Sequence, residues 1–215
     1  MRILAFDCAG AQCAAAILAD GETLAERRIA SDRGHAQLLM PLLVELMAGA
    51  GLGFGDIDRF AVTTGPGSFT GIRVALAAAH GLALGTGKPI IGVTVFDVIA
   101  AQATAIAAFP RLLVAIDSRR AEIFVQRFDG NGTAQSEPAM LAPDAVADWI
   151  GPGPVMLAGD GASLLAPYLP AAAISDLPSL VDPAVLARLA ATHAAGAPPA
   201  PFYLRPPDAI PARGR

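Results

Sequence analysis

The sequence is poor in charge and rich in apolar residues. Only 16% of its 215 residues are Asp, Glu, Lys or Arg, whereas 54% are hydrophobic; soluble domains usually carry about a quarter charged residues. So much apolar surface excludes a disordered chain, because its burial more than offsets the entropy lost on ordering. The 22 glycines and 18 prolines follow no period, which argues against a fibrous or low-complexity protein.

Cysteine and histidine are also scarce. Cys8 and Cys13 are the two cysteines; two thiols alone make neither a disulfide framework nor a zinc site, and we expect them to be reduced. The three histidines, His35, His80 and His193, form no H-x-x-x-H pair. Neither a G-x-S-x-G nor a C-x-x-C motif occurs. The sequence therefore predicts no metal site and no nucleophile of these common types.

Long hydrophobic runs and one-sided charge are missing as well. The longest uncharged stretch, Leu189 to Leu204, contains three prolines, and a membrane-spanning helix needs about 20 apolar residues. Asp7 interrupts the apolar residues that follow Arg2, which does not fit a signal peptide. The net charge is −4 without a basic run, so there is no electrostatic footprint for nucleic acid. We expect a cytoplasmic protein that does not associate with membranes.

The first half of the sequence predicts a three-stranded meander followed by alternating helices and strands. Predicted strands at 3–7, 13–18 and 23–29 are separated by small polar turns, one of them the hairpin dipeptide Asp20-Gly21. Leucines then recur at spacings of three and four, which indicates an amphipathic helix in which Pro41 is tolerable if it lies within the first turn. The elements expected from here are a helix at 35–50, a strand at 60–64, a helix at 70–86, a strand at 89–93 and a helix at 94–108.

The second half repeats the order of the first. An apolar strand at 112–117 ends in Asp117, as the first strand ends in Asp7, and a polar turn leads to a strand at 122–128. This duplicated strand–Asp–turn–strand order predicts an α/β protein of the actin and hexokinase type rather than a single flavodoxin-like sheet. We place the two lobes at 1–108 and 109–215. Shorter elements complete the second: a helix near 143–150, a strand at 154–158 and a helix at 183–194.

A glycine-rich segment, 65–73, joins a strand to a helix. Ser68 or Thr70 is placed to cap that helix, with backbone N–H groups facing outward. The spacing matches neither the P-loop, which needs Lys then Ser or Thr after the second glycine, nor the dinucleotide fingerprint. A tight turn and a nucleotide-binding loop are both open interpretations. For the second, the candidate residues are Asp7, Gly67, Ser68 and Asp117.

The helix after this loop has no charged residue from Val74 to Gly87, and its side chains are mainly small. A helix that is apolar on all sides must be covered on all sides, and small residues such as Gly81 let another helix approach closely. One face can lie on the sheet, but the other needs a second partner. That partner is either the leucine-rich helix at 35–50 or a separate protein that docks on both helices.

Four segments together resemble the bacterial TsaB (YeaZ) family over essentially the whole chain. They are ILAFD at 3–7, GPGSFTGIR at 65–73, AIDSR at 115–119 and PFYLR at 201–205, and the second is the most specific. Where the family usually has Thr after the first aspartate, this sequence has Cys8. Members of the family help to make threonylcarbamoyladenosine beside the anticodon of tRNA.

The resemblance implies an actin-like two-lobed fold and a non-catalytic subunit. TsaB-like proteins pair with the related transferase TsaD through two helices of the first lobe, and they form homodimers through much the same surface when alone. The ATP-hydrolysing partner TsaE joins that pair, and tRNA is bound by the complex as a whole. The resemblance implies that the chain holds no cofactor tightly. The alternative is that ATP or ADP binds at the interface of the complex.

The two docking helices of the family correspond to 35–50 and 70–86 in this sequence. The resemblance thus assigns the partner interface to one set of residues: Leu39, Leu42, Leu43, Leu46, Gly71, Arg73, Val74, Ala75, Ala78, His80 and Leu82.

Two other functions are weighed against this one. An ATP-binding phosphotransferase of the actin-like fold would use Asp7 and Asp117 to hold magnesium, with Gly67 and Ser68 near phosphate, although the loop lacks the P-loop lysine. A glycoprotease, a label attached to the wider family, would need a metal site that three scattered histidines do not provide.

Overall fold

The computed structural model describes residues 1–106, 109–174 and 179–205. Its strands form two five-stranded sheets. The first sheet contains β1 (Arg2–Asp7), β2 (Gln12–Ala19), β3 (Glu22–Ala30), β4 (Arg59–Thr63) and β5 (Ile90–Val93). The second contains β6 (Arg111–Asp117), β7 (Ile123–Asp129), β8 (Ala139–Leu141), β9 (Met156–Ala158) and β10 (Ala173–Ile174).

The two sheets have the same topology. Read in the same direction, their strand orders are β3-β2-β1-β4-β5 and β8-β7-β6-β9-β10. In each, the first three strands in sequence pair antiparallel and the last two add in parallel. This identity confirms the α/β, actin-like two-lobed fold that the repeated strand–Asp–turn–strand order predicts.

Helices cover the first sheet from both faces. The described helices are α1 (His35–Gly49), α2 (Phe69–Thr86), α3 (Val95–Thr104), α4 (Val146–Ile150), α5 (Ala162–Leu165) and α6 (Pro183–Thr192). Helices α1 and α2 contact each other and lie on one face, while α6 lies on the other and contacts α3. Because both faces are covered, β1 is buried from Ile3 to Asp7.

Helix α6 belongs with the first lobe, in contrast to the predicted division at 108. Helix α6 packs against β1 and β2 of the first sheet, and its buried side includes Leu186 and Ala187. Its first turn is capped by Asp182, whose Oδ1 accepts from two backbone amides at 2.8 and 3.2 Å. The small side chains of α6 let it lie close to the face of the sheet that α1 and α2 leave open.

Other differences from the predicted elements are local. Helix α1 begins at His35, so Pro41 lies in its interior and not in its first turn; one backbone donor is lost there. Helix α3 ends at Thr104, and residues 107 and 108, where the lobe boundary was predicted, lie outside the described residues. Strands β8 and β10 and helix α5 were not predicted.

Candidate functional site

The glycine-rich loop is pressed against the turn between β1 and β2. A side chain on Gly67 would place its Cβ 2.3 Å from the carbonyl oxygen of Ala9, and one on Gly71 would place it 1.9 Å from that of Cys8. The backbone N–H of Ser68 donates to the Ala9 carbonyl at 2.7 Å. Glycine is needed at both positions because two backbone segments meet there with no room for a Cβ.

The start of α2 is closed by its own cap. Ser68 is the N-cap residue: its Oγ accepts from the Gly71 amide at 3.1 Å, and its carbonyl accepts from Ile72 at 2.9 Å. Of the two predicted capping residues, Ser68 caps the helix and Thr70 lies exposed in its first turn. The Ser68 and Gly71 amides, which a phosphate would need, are therefore already used inside the chain.

Asp7 is a buried acceptor that holds the same turn. Its Oδ1 accepts from the Thr63 hydroxyl and from the Ala9 amide, whereas its Oδ2 has no hydrogen-bond partner among the described residues. Burial raises the pKa of Asp7, against the lowering effect of these hydrogen bonds and of His35. The structure thus brings Asp7, Gly67 and Ser68 together around one turn, as the nucleotide-loop hypothesis requires, but the space between them is filled by backbone.

Asp117 belongs to a separate cluster in the second lobe. Its Oδ1 accepts from the Arg119 amide at 2.7 Å, and its own amide donates to Oδ1 of Asp160 at 2.8 Å. The Arg119 guanidinium lies 3.4 Å from the Asp117 carboxylate and 3.6 Å from that of Asp160. Burial raises the pKa of Asp160.

Sequence reasoning missed Asp160. Like Asp7 and Asp117, it follows an apolar strand, in the run Gly159-Asp160-Gly161 after β9. Strand-end position is therefore the signal that could have found it.

The leucine stripe assigned to the partner interface is buried inside the chain. Helix α1 turns this stripe onto β2 and β3 of the first sheet, because the sheet face is the larger apolar surface available to it. The assignment of these residues to a surface interface is wrong, and Gly71 and Ala75 of α2 are buried in the same way. The buried leucines are Leu39, Leu42, Leu43 and Leu46.

A second, narrower stripe on each helix faces outward. On α1, Met40 and Val44 are exposed; on α2, Ala77, Gly81 and Leu84 are exposed, and Leu84 is 89% exposed. These residues follow the i, i+3 and i, i+4 spacing of a single helix face. Since α1 and α2 lie side by side on one sheet face, we call these five residues the two-helix face.

The remaining predicted interface residues lie near the two-helix face. Arg73 and His80 are exposed on α2, and Val74, Ala78 and Leu82 are half-buried. The predicted set did not include Val44 or Leu84, which are exposed. The i+4 spacing of Met40 to Val44 and of Ala77 to Gly81 is the signal for this second stripe.

A segment near the C-terminus runs along the side of α2. The Arg73 Nε donates to the Tyr203 hydroxyl at 2.9 Å, and the Arg73 guanidinium lies 3.7 Å from the centre of the Phe69 ring. Further along, the Pro199 carbonyl lies 3.1 Å from the His80 ring. The Phe202 amide donates to the Thr64 carbonyl at 2.8 Å. This segment fixes one edge of α2 and occupies Arg73 and His80.

Helix α2 is the one described helix with the length and hydropathy of a membrane span. Its buried side, including Ile72 and Ala79, packs on the first sheet.

Comparison with known proteins finds relatives that are named for tRNA threonylcarbamoyladenosine biosynthesis. A family model described as "TsaD: tRNA N6-adenosine threonylcarbamoyltransferase" matches residues 23–178. The tRNA threonylcarbamoyladenosine biosynthesis protein TsaB of Escherichia coli is 37% identical over 150 residues, which are 68% of this chain and 64% of that protein. The TsaB protein of Haemophilus influenzae is 34% identical over 58% of this chain and 52% of its own length. The matches thus span roughly half to two thirds of these relatives.

Solved structures agree with the two-lobed architecture. An uncharacterized Pseudomonas aeruginosa protein with similarity to peptidase YeaZ superposes with a TM-score of 0.82 at 27% identity, covering 95% of this chain and 99% of that one. The activator of 2-hydroxyisocaproyl-CoA dehydratase from Clostridium difficile, solved with bound ADPNP, has a TM-score of 0.51 at 14% identity over 88% and 94% of the two chains. The latter likeness shows the fold alone.

Proposed function

Since the chain belongs to the TsaB (YeaZ) family of tRNA threonylcarbamoyladenosine biosynthesis proteins, we propose that it is a non-catalytic subunit that docks on a TsaD-type transferase through the two-helix face. The observation that carries this proposal is the uncharged outer stripe formed by Met40 and Val44 on α1 and by Leu84 on α2. Exposed apolar surface of this kind marks an interaction site.

The likeness to the transferase family supports the geometry of docking. The family model for TsaD covers α1 and α2, so a TsaD-type partner would offer a related pair of helices. Two related helix pairs can pack about a pseudo-twofold axis, in the manner of an isologous dimer. The small outer residues Ala77 and Gly81 let the partner helices approach closely. Leu84 would contribute about 1.5–3 kcal/mol on full burial, and the half-exposed Val44 about half as much.

Two further observations support a non-catalytic role. Among the described residues no group of three or more His, Cys, Asp or Glu side chains is placed to hold a metal ion. The Ser68 and Gly71 amides and one oxygen of Asp7 are engaged within the chain. We therefore propose that chemistry on the tRNA is left to the partner, that this chain alone holds no nucleotide tightly, and that ATP or ADP binds only at the interface of the complex.

The wider assembly follows from the same surface. We propose that a TsaE-type ATPase joins the heterodimer, that the complex as a whole binds tRNA, and that the chain works in the cytoplasm. In the absence of the transferase, two copies would cover the two-helix face as a homodimer, because the face is self-complementary in character.

Charge substitutions on the two-helix face test this proposal. Val44 is 51% exposed, so Val44→Glu and Leu84→Glu are expected to leave the fold intact and to abolish the stable complex with the transferase. Size-exclusion chromatography of mixtures is the measurement. The matched control is Leu164→Glu, since Leu164 is 47% exposed on α5 of the second lobe and should keep the complex. Co-elution of both first-lobe variants with the transferase would refute this docking face.

The phosphotransferase alternative makes a different prediction. It requires the loop at 65–71 to move off the β1–β2 turn, so that Gly67 and Ser68 reach a phosphate. Titration calorimetry of the isolated chain with ATP and magnesium distinguishes the two functions. Tight binding followed by turnover would favour the phosphotransferase. For the proposed non-catalytic subunit we expect no heat beyond the heat of dilution.

A further inference from the structure

The two cysteines face each other across the β1–β2 turn. The last pair of the ladder is Asp7 with Ala14, so the next pair outward is Cys8 with Cys13. Their sulfur atoms lie 3.2 Å apart, and both residues are free thiols with buried side chains.

We propose that Cys8 and Cys13 form a reversible disulfide by exchange with a small disulfide such as glutathione disulfide. Residues directly opposite in an antiparallel pair have Cα atoms about 4.5–5.5 Å apart, which lies within the range of about 4.4–6.8 Å that disulfides accept. Bond formation therefore needs side-chain rotation and a small approach of the sulfur atoms, without a change in strand register.

The exchange balances in two steps. The Cys13 thiolate attacks glutathione disulfide, so that a Cys13–glutathione bond forms and one glutathione thiolate leaves. The Cys8 thiolate then attacks the Cys13 sulfur and displaces the second glutathione. Two protein thiols are oxidised, one glutathione disulfide is reduced to two glutathione molecules, and the protons of the two thiols end on these products.

The surroundings of the two sulfurs differ in a way that fits this order. The hydrogen bond from Cys8 lowers the pKa of Cys13, whereas its hydrogen bond with Cys13 and its burial raise the pKa of Cys8. Cys13 is therefore the thiol that supplies the first thiolate. Since both thiols are buried, a small opening of the turn at Gly10 and Ala11, which are half-buried, must precede the attack.

The crosslink would act on the start of α2. The carbonyl groups of Cys8 and Ala9 are the surfaces against which Gly71 and Gly67 are pressed, and the Ala9 carbonyl accepts from the Ser68 amide. A disulfide at the base of this turn restricts the movement of both carbonyls, and with it the fraying of the first turn of α2. Any effect on docking rests on the proposed function, because α2 carries part of the two-helix face.

The first test is the thiol state of the full chain. The folded protein is incubated with glutathione disulfide, unfolded in the presence of iodoacetamide, and weighed by mass spectrometry. We expect a product lighter by two hydrogen atoms with neither cysteine alkylated, and full recovery of two alkylated cysteines after dithiothreitol. Two alkylated cysteines after prolonged incubation, or stable glutathione adducts without the internal bond, would overturn the proposal.

Single substitutions provide the control. Cys13→Ser and Cys8→Ser each remove one sulfur and are checked for folding by circular dichroism. Neither can lose two hydrogen atoms within one chain, so the mass loss must disappear in both. A disulfide between two wild-type chains in non-reducing electrophoresis, in place of the internal bond, would also contradict the pairing.

Hydrogen exchange measures the coupling to α2. In the oxidised chain, amides of the segment 67–76 are expected to exchange more slowly than in the reduced chain, while those of α5 are unchanged. Equal exchange in both states would overturn the coupling. Both experiments use the isolated chain, so their failure leaves the docking proposal standing, and loss of docking in Val44→Glu leaves the disulfide standing.

Discussion

The two lobes share a strand order but differ in the helices that join equivalent strands. Between the third and fourth strands the first lobe has α1, of 15 residues, where the second has α4, of 5. Between the fourth and fifth strands the first lobe has α2, of 18 residues, where the second has α5, of 4. A one-turn helix can do little more than cover its sheet. The long helices of the first lobe have an inner side for the sheet and an outer side for a partner.

The largest effect expected within this comparison is on the inner side of α1. Leu43 has no exposed surface, so Leu43→Glu buries a charge with no partner and should cost about 4 kcal/mol or more of the free energy of unfolding. Its neighbour Val44 faces outward, and Val44→Glu should change that free energy by about 0.5 kcal/mol or less. Urea unfolding followed by circular dichroism measures both. Equal losses in the two variants would mean that α1 is rotated from its described position.

A smaller effect is expected along α2. Gly71→Ala puts a Cβ 1.9 Å from the Cys8 carbonyl oxygen, and relief of that overlap should cost about 3 kcal/mol. Gly81→Ala is the matched control, because a Cβ there meets nothing within 4 Å and alanine should stabilise the helix by about 1 kcal/mol. Opposite signs in urea unfolding are the expected result. A Gly71→Ala chain as stable as wild type would show that the loop is not pressed on the β1–β2 turn.

The smallest effect concerns the buried carboxyl group of Asp7. Burial raises its pKa in the folded chain above the ordinary value of 3.8, so the native state holds its proton to higher pH than the unfolded state does. Its contribution to stability is therefore largest below about pH 4 and falls as the pH rises through the folded pKa. The loss amounts to about 1.4 kcal/mol for each pH unit that separates the pKa of the folded chain from that of the unfolded chain.

Asp7→Asn removes this titration while its side-chain oxygen can still accept from Thr63 and Ala9. The variant is expected to be at least as stable as wild type at pH 7 and less dependent on pH above pH 4, as measured by unfolding at a series of pH values. A loss of stability in Asp7→Asn that grows with pH would show that the ionised carboxylate is favourable in the fold.

Sequence patterns were sufficient for the frame of the fold. Turn dipeptides such as Asp20-Gly21 and the strand-end residues Asp7 and Asp117 located the duplicated sheets, because they are local signals. Strands β8 and β10 have three and two residues, too few for a periodic pattern to show.

The candidate site was predicted only in part, for a physical reason. The stripe of Leu39 and Leu43 and the stripe of Met40 and Val44 have the same helical period, and the sequence does not say which one meets the sheet. The position of α6 and the packing of loop 65–71 on the β1–β2 turn depend on contacts between segments distant in the chain. Such contacts follow from three-dimensional packing and leave no local signature.

The placement of α6 has a consequence for how the protein is made. The Gln12 side chain donates to the Val181 carbonyl across 169 positions of sequence, and α6 covers β1 and β2, which leave the ribosome well before it. During translation this face of the first sheet therefore stays uncovered until α6 emerges. Nascent chains at this stage expose a long apolar surface, and they are the natural clients of chaperones that act at the tunnel exit.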